Sequence, residues 1–502
     1  MIRKIPPLAL LTLLLAACAP AATQTPTIPA ASSGPTEANP AAPTSMPTTA
    51  SEPDAQRTLY DLIDPDSETA HQAYDRILLE KDERFIAAFL ELTRAASIGL
   101  GASITFVESV EALEALSGQS FGGDWAGWIE WYGGTDLEPP PGFTGWKGEL
   151  LGRIDPGFAE FLRDGFPSVI RVEEILWGGV KVDGIPALAN APMIPAAEAD
   201  YLLDEEPVFG ISINGDHRAY PLRILDWHEM ANDVVGGVPV SLAYCTLCGA
   251  GIAYHGEIDG VTYTFGSSGF LYRSNKLMYD HQTRTLWNQL TGEPVLGELV
   301  GSGIKLELLP VVVTTWADWQ EQHPDTVVLS LDTGFSRPYE PGAAYGDYYS
   351  FDDTMFPVWQ RSDLLETKDR VYALQIEGVP VAYPVKTLVE EVVVNDEVAG
   401  TPLVVLALRG GILVDGSSIR VGDVRYDAGA EVRAYERGTY EFSPAADGER
   451  LVDQDDWVWE ITEEALVGPD GETLPRLSGH LAYWFGWYAF FPKTLVYGVE
   501  NE

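Results

Sequence analysis

The sequence predicts an α+β protein in which an N-terminal helical module precedes two tandem β-rich domains related by an internal repeat. Three observations carry this prediction. Apolar residues recur at helical spacing between about 57 and 170, as in Phe85, Ile86, Phe89 and Leu90. From about 200 onward, runs of Val, Ile, Tyr and Thr alternate with Asn-Gly and Asp-Gly pairs, whose tolerance of positive φ favours hairpin turns. The stretch Val208 to Val240 then matches Val371 to Leu403 without a gap, 163 residues further on.

The elements follow in chain order. Arg3 and Lys4 precede an apolar run, Ile5 to Leu15, that is short for a membrane span. It ends in Leu15-Ala16-Ala17-Cys18, which resembles a bacterial lipobox. Residues 1–18 are therefore expected to be a lipoprotein signal peptide, with Cys18 the lipidated residue. The expected location is the cell membrane, lipid-anchored and facing the extracytoplasmic side. Residues 19–56, rich in Pro, Ala, Thr and Ser, bury too little to fold and read as a disordered tether. The helical module is placed at 57–170. It includes an aromatic helix at Asp124 to Tyr132 and a break at Pro139-Pro140-Pro141.

In the β-rich part, Val208 to Ile213, Asn214-Gly215 and Arg218 to Leu222 read as a hairpin. Leu225 to Val235 reads as a short helix stopped by Gly236-Gly237, and Val238 to Tyr244 as a buried strand. A second hairpin is expected at Ile252 to Phe265 around Asp259-Gly260. The 163-residue spacing relates Gly215 to Gly378, Tyr220-Pro221 to Tyr383-Pro384, and Asn232-Asp233 to Asn395-Asp396. Further on, Trp316, Trp319 and Pro324 match Trp484, Trp487 and Pro492 at a spacing of 168. These matches set the domains at 200–335 and 360–502. Residues present in both copies are assigned structural roles. Tyr220-Pro221 would end a strand, and Asn232-Asp233 would satisfy backbone groups at a helix end.

Composition narrows the function. A net charge of −44 repels nucleic acid and anionic head groups, so no nucleic-acid partner is expected. The chain has three cysteines, too few for a disulfide scaffold once Cys18 carries lipid. The other two, Cys245 and Cys248, lie in the first copy only. The second copy places Leu408 and Gly411 at the corresponding positions, and Glu391 opposite His228.

The first copy resembles the DUF3179 family of uncharacterised, mostly exported bacterial and archaeal proteins. The resemblance rests on Asp204 to Phe209, Ala219-Tyr220-Pro221, Asn232-Asp233, Tyr244-Cys245-Thr246-Leu247-Cys248-Gly249, Phe265 to Leu271, Met278-Tyr279-Asp280, Leu286-Trp287-Asn288-Gln289 and Trp316 to Leu329. It covers about 200–335 well and the second copy weakly. The family's usual motif has Pro where this chain has Thr246. The resemblance implies no particular activity.

Cys245-x-x-Cys248 admits three readings. As a metal site, two thiolates would hold copper or zinc with His281, His255 or His228, or with Met278 as a soft ligand, and Asp280 would orient His281. As a redox dithiol, the pair would cycle between thiols and disulfide. As a staple, it would close a turn. Its absence from the second copy speaks against the staple. The strand-turn-strand context, with Gly249-Ala250-Gly251 after the pair, is unlike a thioredoxin site. Ser268 lies in a Gly/Ser segment expected to turn tightly, and Arg273 could hold an anion or pair with a carboxylate. The leading expectation is a Cys/His site for metal or thiol redox at a pocket mouth, with His281 nearby. The alternative is a non-enzymatic surface module that binds a peptide, glycan or partner protein through an exposed aromatic groove between the copies.

Overall fold

The computed structural model describes residues 51–499. The signal segment, Cys18 and the tether up to residue 50 lie outside the described residues. The described part has an N-terminal helical region followed by a large β-rich region of several sheets. Among the described residues no helix is long and apolar enough to cross a membrane.

The helical region comprises Glu52–Asp61, Ser67–Glu80, Ile86–Ser97, Phe106–Ser117, Trp125–Gly133, Phe143–Gly152 and Pro156–Phe161. Local chemistry starts these helices. Asp66 and Asp124 accept from the backbone of Thr69 and Gly127, and Thr105 with Glu108 forms a reciprocal capping box. The first helix begins inside the stretch expected to be tether. Pro53 fits its first turn, where no backbone donor is needed, and Ala55 and Leu59 are buried. The helices do not form a separate body. Phe158 stacks on Phe270 of the β-rich region with ring centres 4.6 Å apart. Strand Ile175–Trp177 pairs with strand Phe265–Tyr272.

The first half of the β-rich region opens on the hairpin Pro207–Ile213 and Asp216–Pro221. Asn214 and Gly215 both have positive φ, as a two-residue hairpin turn requires. Pro221 then begins helix Leu222–His228. Here the structure corrects the expected helix at Leu225 to Val235. The helix stops at Glu229, which is left-handed (φ 54°), and Met230–Val235 is a strand paired with Val238–Cys245. A short apolar run suits either element, and the available strand partner decided it. Asn232 and Asp233 consequently cap no helix. The Asn232 amide donates to the Phe265 carbonyl (2.8 Å) and accepts from its N–H (2.9 Å). Asp233 accepts from Tyr220 (2.7 Å) and Arg218 (2.8 Å). Phe265 to Gly269 is likewise no tight turn. It lies within strand Phe265–Tyr272, which carries a bulge between Ser267 and Phe270.

The second half runs through Arg370–Ile376, Val379–Pro384, helix Val385–Glu391, Val393–Val398 and Thr401–Leu406. Each begins 163 residues after its counterpart Pro207–Ile213, Asp216–Pro221, Leu222–His228, Met230–Val235 and Val238–Cys245. Side-chain bonds recur too. Asn395 exchanges bonds with the Phe442 backbone (2.8 and 2.9 Å), and Tyr383 donates to Asp396 (2.8 Å). Trp319 donates to Thr326 (2.8 Å) as Trp487 does to Thr494 (2.9 Å). One large apolar core joins the halves, containing Leu242 and Ile252 from the first and Val371, Ala482 and Trp484 from the second. The segment between them adds Tyr339, Tyr348 and Tyr349 to it.

Candidate functional site

Strand Val238–Cys245 ends on the first thiol, and strand Ala250–His255 begins just after the second. The turn between them closes through the Gly249 N–H to the Thr246 carbonyl (3.3 Å), and Gly249 takes φ 59°. Gln289 ties the two strands from below, donating to the carbonyls of Ala243 (3.0 Å) and Ala250 (3.1 Å). Gln289 in turn accepts from Asn275 (2.8 Å), whose amide also reaches the Cys248 Sγ at 3.5 Å.

Both cysteines are free thiols, 2% and 0% exposed. They do not sit at a pocket mouth, as the sequence led one to expect. Groups distant in the chain cover them. Tyr483 N–H donates to the Cys248 carbonyl (2.7 Å), and Tyr348 donates to that of Leu247 (2.7 Å). Gly486 packs so closely that a Cβ there would lie 3.2 Å from the Cys248 Sγ.

The two thiols are chemically unequal. Burial and the nearby Glu229 charge push the Cys245 thiol up. Hydrogen bonds from the Cys248 thiol and from the backbone N–H groups of Lys276 and Cys248 outweigh both, leaving it below the ordinary cysteine value. Cys248 is driven well above that value by burial and by its role as donor to Cys245. Beside them lies a buried ion pair. Glu229 accepts from Thr246, the residue after the first thiol (3.3 Å), and meets the Lys276 ammonium at 3.2 Å. Further in, Asp226 is fully buried and accepts from Tyr349, which is bonded to Tyr244 at 2.9 Å. Desolvation raises Asp226 to about 8, aided by the Glu229 charge.

The histidines expected to complete a metal site are elsewhere. His281 is exposed and bonded to Thr264 (2.9 Å). It lies beyond the far end of strand Asn275–Asp280, on the order of 20 Å along the chain from the residues that touch Cys248. His255 is half-buried and bonds the Glu257 carbonyl (3.0 Å). His228 is buried, donating from Nδ1 to the Pro186 carbonyl (2.8 Å) and accepting at Nε2 from Tyr339 (2.6 Å). Burial lowers its pKa, which favours the neutral ring. Among the described residues no group of three or more His, Cys, Asp or Glu side chains could hold a metal ion.

The supporting candidates also have local partners. Met278 is core. Asp280 caps the turn at Thr283 and accepts from Trp287 (2.8 Å). Ser268 donates to the Leu277 carbonyl inside the bulge. Arg273 pairs with Glu174 (3.0 Å), just before strand Ile175–Trp177, and donates to the Ala489 carbonyl (2.9 Å) of the second half, so it is engaged and not open to an anion.

Sequence reasoning missed Asp226, Glu229, Tyr244, Lys276 and the tyrosines of the connecting segment. A signal existed for three of them. At the 163-residue spacing Asp226, Glu229 and Tyr244 fall on Val389, Val392 and Ala407, so polarity is lost there together with the thiols.

A cavity of about 890 Å³ is away from the thiols. It lies between the halves and is lined by charged groups such as His217, His323, Arg409, Glu431 and Glu463, with no Trp, Tyr or Phe. The aromatic groove expected of a binding module is not what this cleft offers.

Fold and site together define a protein of several β-sheets, preceded by helices, that buries a chemically asymmetric dithiol where its halves meet. The chain belongs to the DUF3179 family, described as proteins of unknown function, whose model matches residues 182–494. That match takes in both halves, where the sequence resemblance was strong only for the first. No curated protein matches the chain, and no solved structure does.

Proposed function

We propose that this chain is a lipid-anchored extracytoplasmic protein, held on the cell membrane through Cys18, whose Cys245–Cys248 pair is a thiol–disulfide redox couple. In this reading the halves 200–335 and 360–502 are tandem copies, and only the first carries the couple. The matched element boundaries and the recurring Asn–Phe, Tyr–Asp and Trp–Thr bonds support the tandem origin.

The observation that carries the redox reading is the asymmetric pair itself: two free thiols, Cys248 donating to Cys245, one acidified and one not. Such a pair divides the work of exchange. The Cys245 thiolate attacks one sulfur of an external disulfide, forming a mixed disulfide and releasing the first thiol. Cys248, once deprotonated, attacks the Cys245 sulfur and releases the second. The external disulfide is reduced, and the pair is oxidised with loss of two protons and two electrons. Because both sulfurs are covered, the contacts of Tyr348 and Gly486 must open for a substrate to enter.

The test is a thiol count on the full chain carrying Cys18→Ala, equilibrated in glutathione buffers from fully reduced to fully oxidised. The expected result is a reversible change of two thiols, lost in Cys245→Ser. A pair that stays reduced at every glutathione ratio would overturn the reading. The anchor is tested separately by membrane fractionation: the wild-type chain is expected with the membranes and the Cys18→Ala chain free of them.

A further inference from the structure

We propose that the buried Glu229–Lys276 ion pair sets the acidity and the redox poise of the dithiol, with Glu229 holding the thiols protonated and Lys276 opposing it. The inference rests on the redox reading and names the residues that tune it.

Glu229 ends helix Leu222–His228 in the left-handed region, an unfavourable place for a residue with a Cβ. Its N–H bonds Leu225 (2.7 Å), and its carbonyl accepts from Tyr244 (2.8 Å). In the second half Val392 has φ 66° and does the same work, bonding Leu388 and accepting from Ala407, both at 2.8 Å. The backbone task therefore needs no carboxylate. What differs is the surroundings, since Leu408 and Gly411 replace the thiols there.

The carboxylate of Glu229 is also costly. Buried at 6% exposure, it is tolerable only with a partner, and Lys276 at 3% exposure supplies one. Lys276 is itself joined to the site, because its backbone N–H donates to the Cys245 sulfur. The Lys276 ammonium also donates to the Glu229 carbonyl (3.2 Å). The titratable and charged groups around Glu229 are thus Lys276, Cys245, Cys248, Tyr345 of the connecting segment and, on its own helix, Asp226. A negative charge in this setting disfavours each thiolate, and a positive one favours it. The two members of the pair consequently act on the thiols in opposite directions.

The experiment is a pH titration of thiolate ultraviolet absorbance on the full, reduced Cys18→Ala chain, referenced to the same chain with Cys245→Ser and Cys248→Ser. Glu229→Gln leaves Lys276 unopposed and is expected to lower the Cys245 midpoint by about one unit, a tenfold gain in thiolate below it. Lys276→Met is expected to raise the midpoint, and the double variant to return near the wild type. The glutathione equilibrium constant is expected to shift about tenfold toward the reduced form in Glu229→Gln, or ~30 mV for a two-electron couple. Glu229→Val, the side chain already tolerated at Val392, serves if Glu229→Gln folds poorly. Midpoints that stay put, or that move in the same direction in both single variants, overturn this inference. The absence of any disulfide in the wild type overturns the redox reading and leaves the acidity test intact.

Discussion

Asp226 makes the fold's stability depend on pH with a sign that the structure dictates. Its carboxyl is fully buried, one oxygen accepts from Tyr349, and the other has no partner. Desolvation lifts its pKa from 3.8 to about 8. Between those values the folded chain keeps a proton that the unfolded chain releases. Stability from this group is therefore complete below about pH 4, is lost as pH rises, and is gone above about pH 8. The slope for one proton is about 1.4 kcal/mol per pH unit, so roughly 2.7 kcal/mol disappears between about pH 5 and pH 7. Asp226→Asn replaces the acid with a neutral amide of the same shape and removes that slope. Other titrating groups are common to both proteins and cancel in the difference. Urea unfolding of wild type and Asp226→Asn at a series of pH values is expected to show the variant gaining on the wild type by about 1.4 kcal/mol per unit up to about pH 8. A gap that does not change with pH would refute the reasoning, because the carboxyl would then be ionised in the folded state.

Two further outcomes test the fold. Lys147 is wholly buried, bonded to Glu91 at 2.7 Å and to the Val172 carbonyl at 3.0 Å, so Lys147→Met should cost about 3–5 kcal/mol by stranding Glu91. Urea unfolding should also show much of that loss recovered in Lys147→Met with Glu91→Leu. Asn232→Ala should destabilise by about 2–4 kcal/mol, since it leaves both backbone groups of Phe265 unpaired in a buried site. Asn395→Ala should cost less, because its site is more open to water; the two denaturation midpoints give the comparison.

What the sequence by itself determined was local or periodic. The turn at Asn214-Gly215 and the strand beginning at Val238 were legible because each is governed by neighbours in the chain. The 163-residue spacing between Val208 to Val240 and Val371 to Leu403 was legible because it is read directly off the residues. The tertiary structure decided the rest. Met230–Val235 became a strand because Val238–Cys245 lay ready to pair with it, a choice its own six residues could not make. His281 and the thiols looked like one ligand set on paper. An extended strand instead sends His281 away from the end that touches Cys248. The groups that do surround the sulfurs come from as far as Tyr348 and Gly486. Burial and charge act through space, so the acidity of a thiol belongs to everything packed around it and is not written in the four residues of its motif.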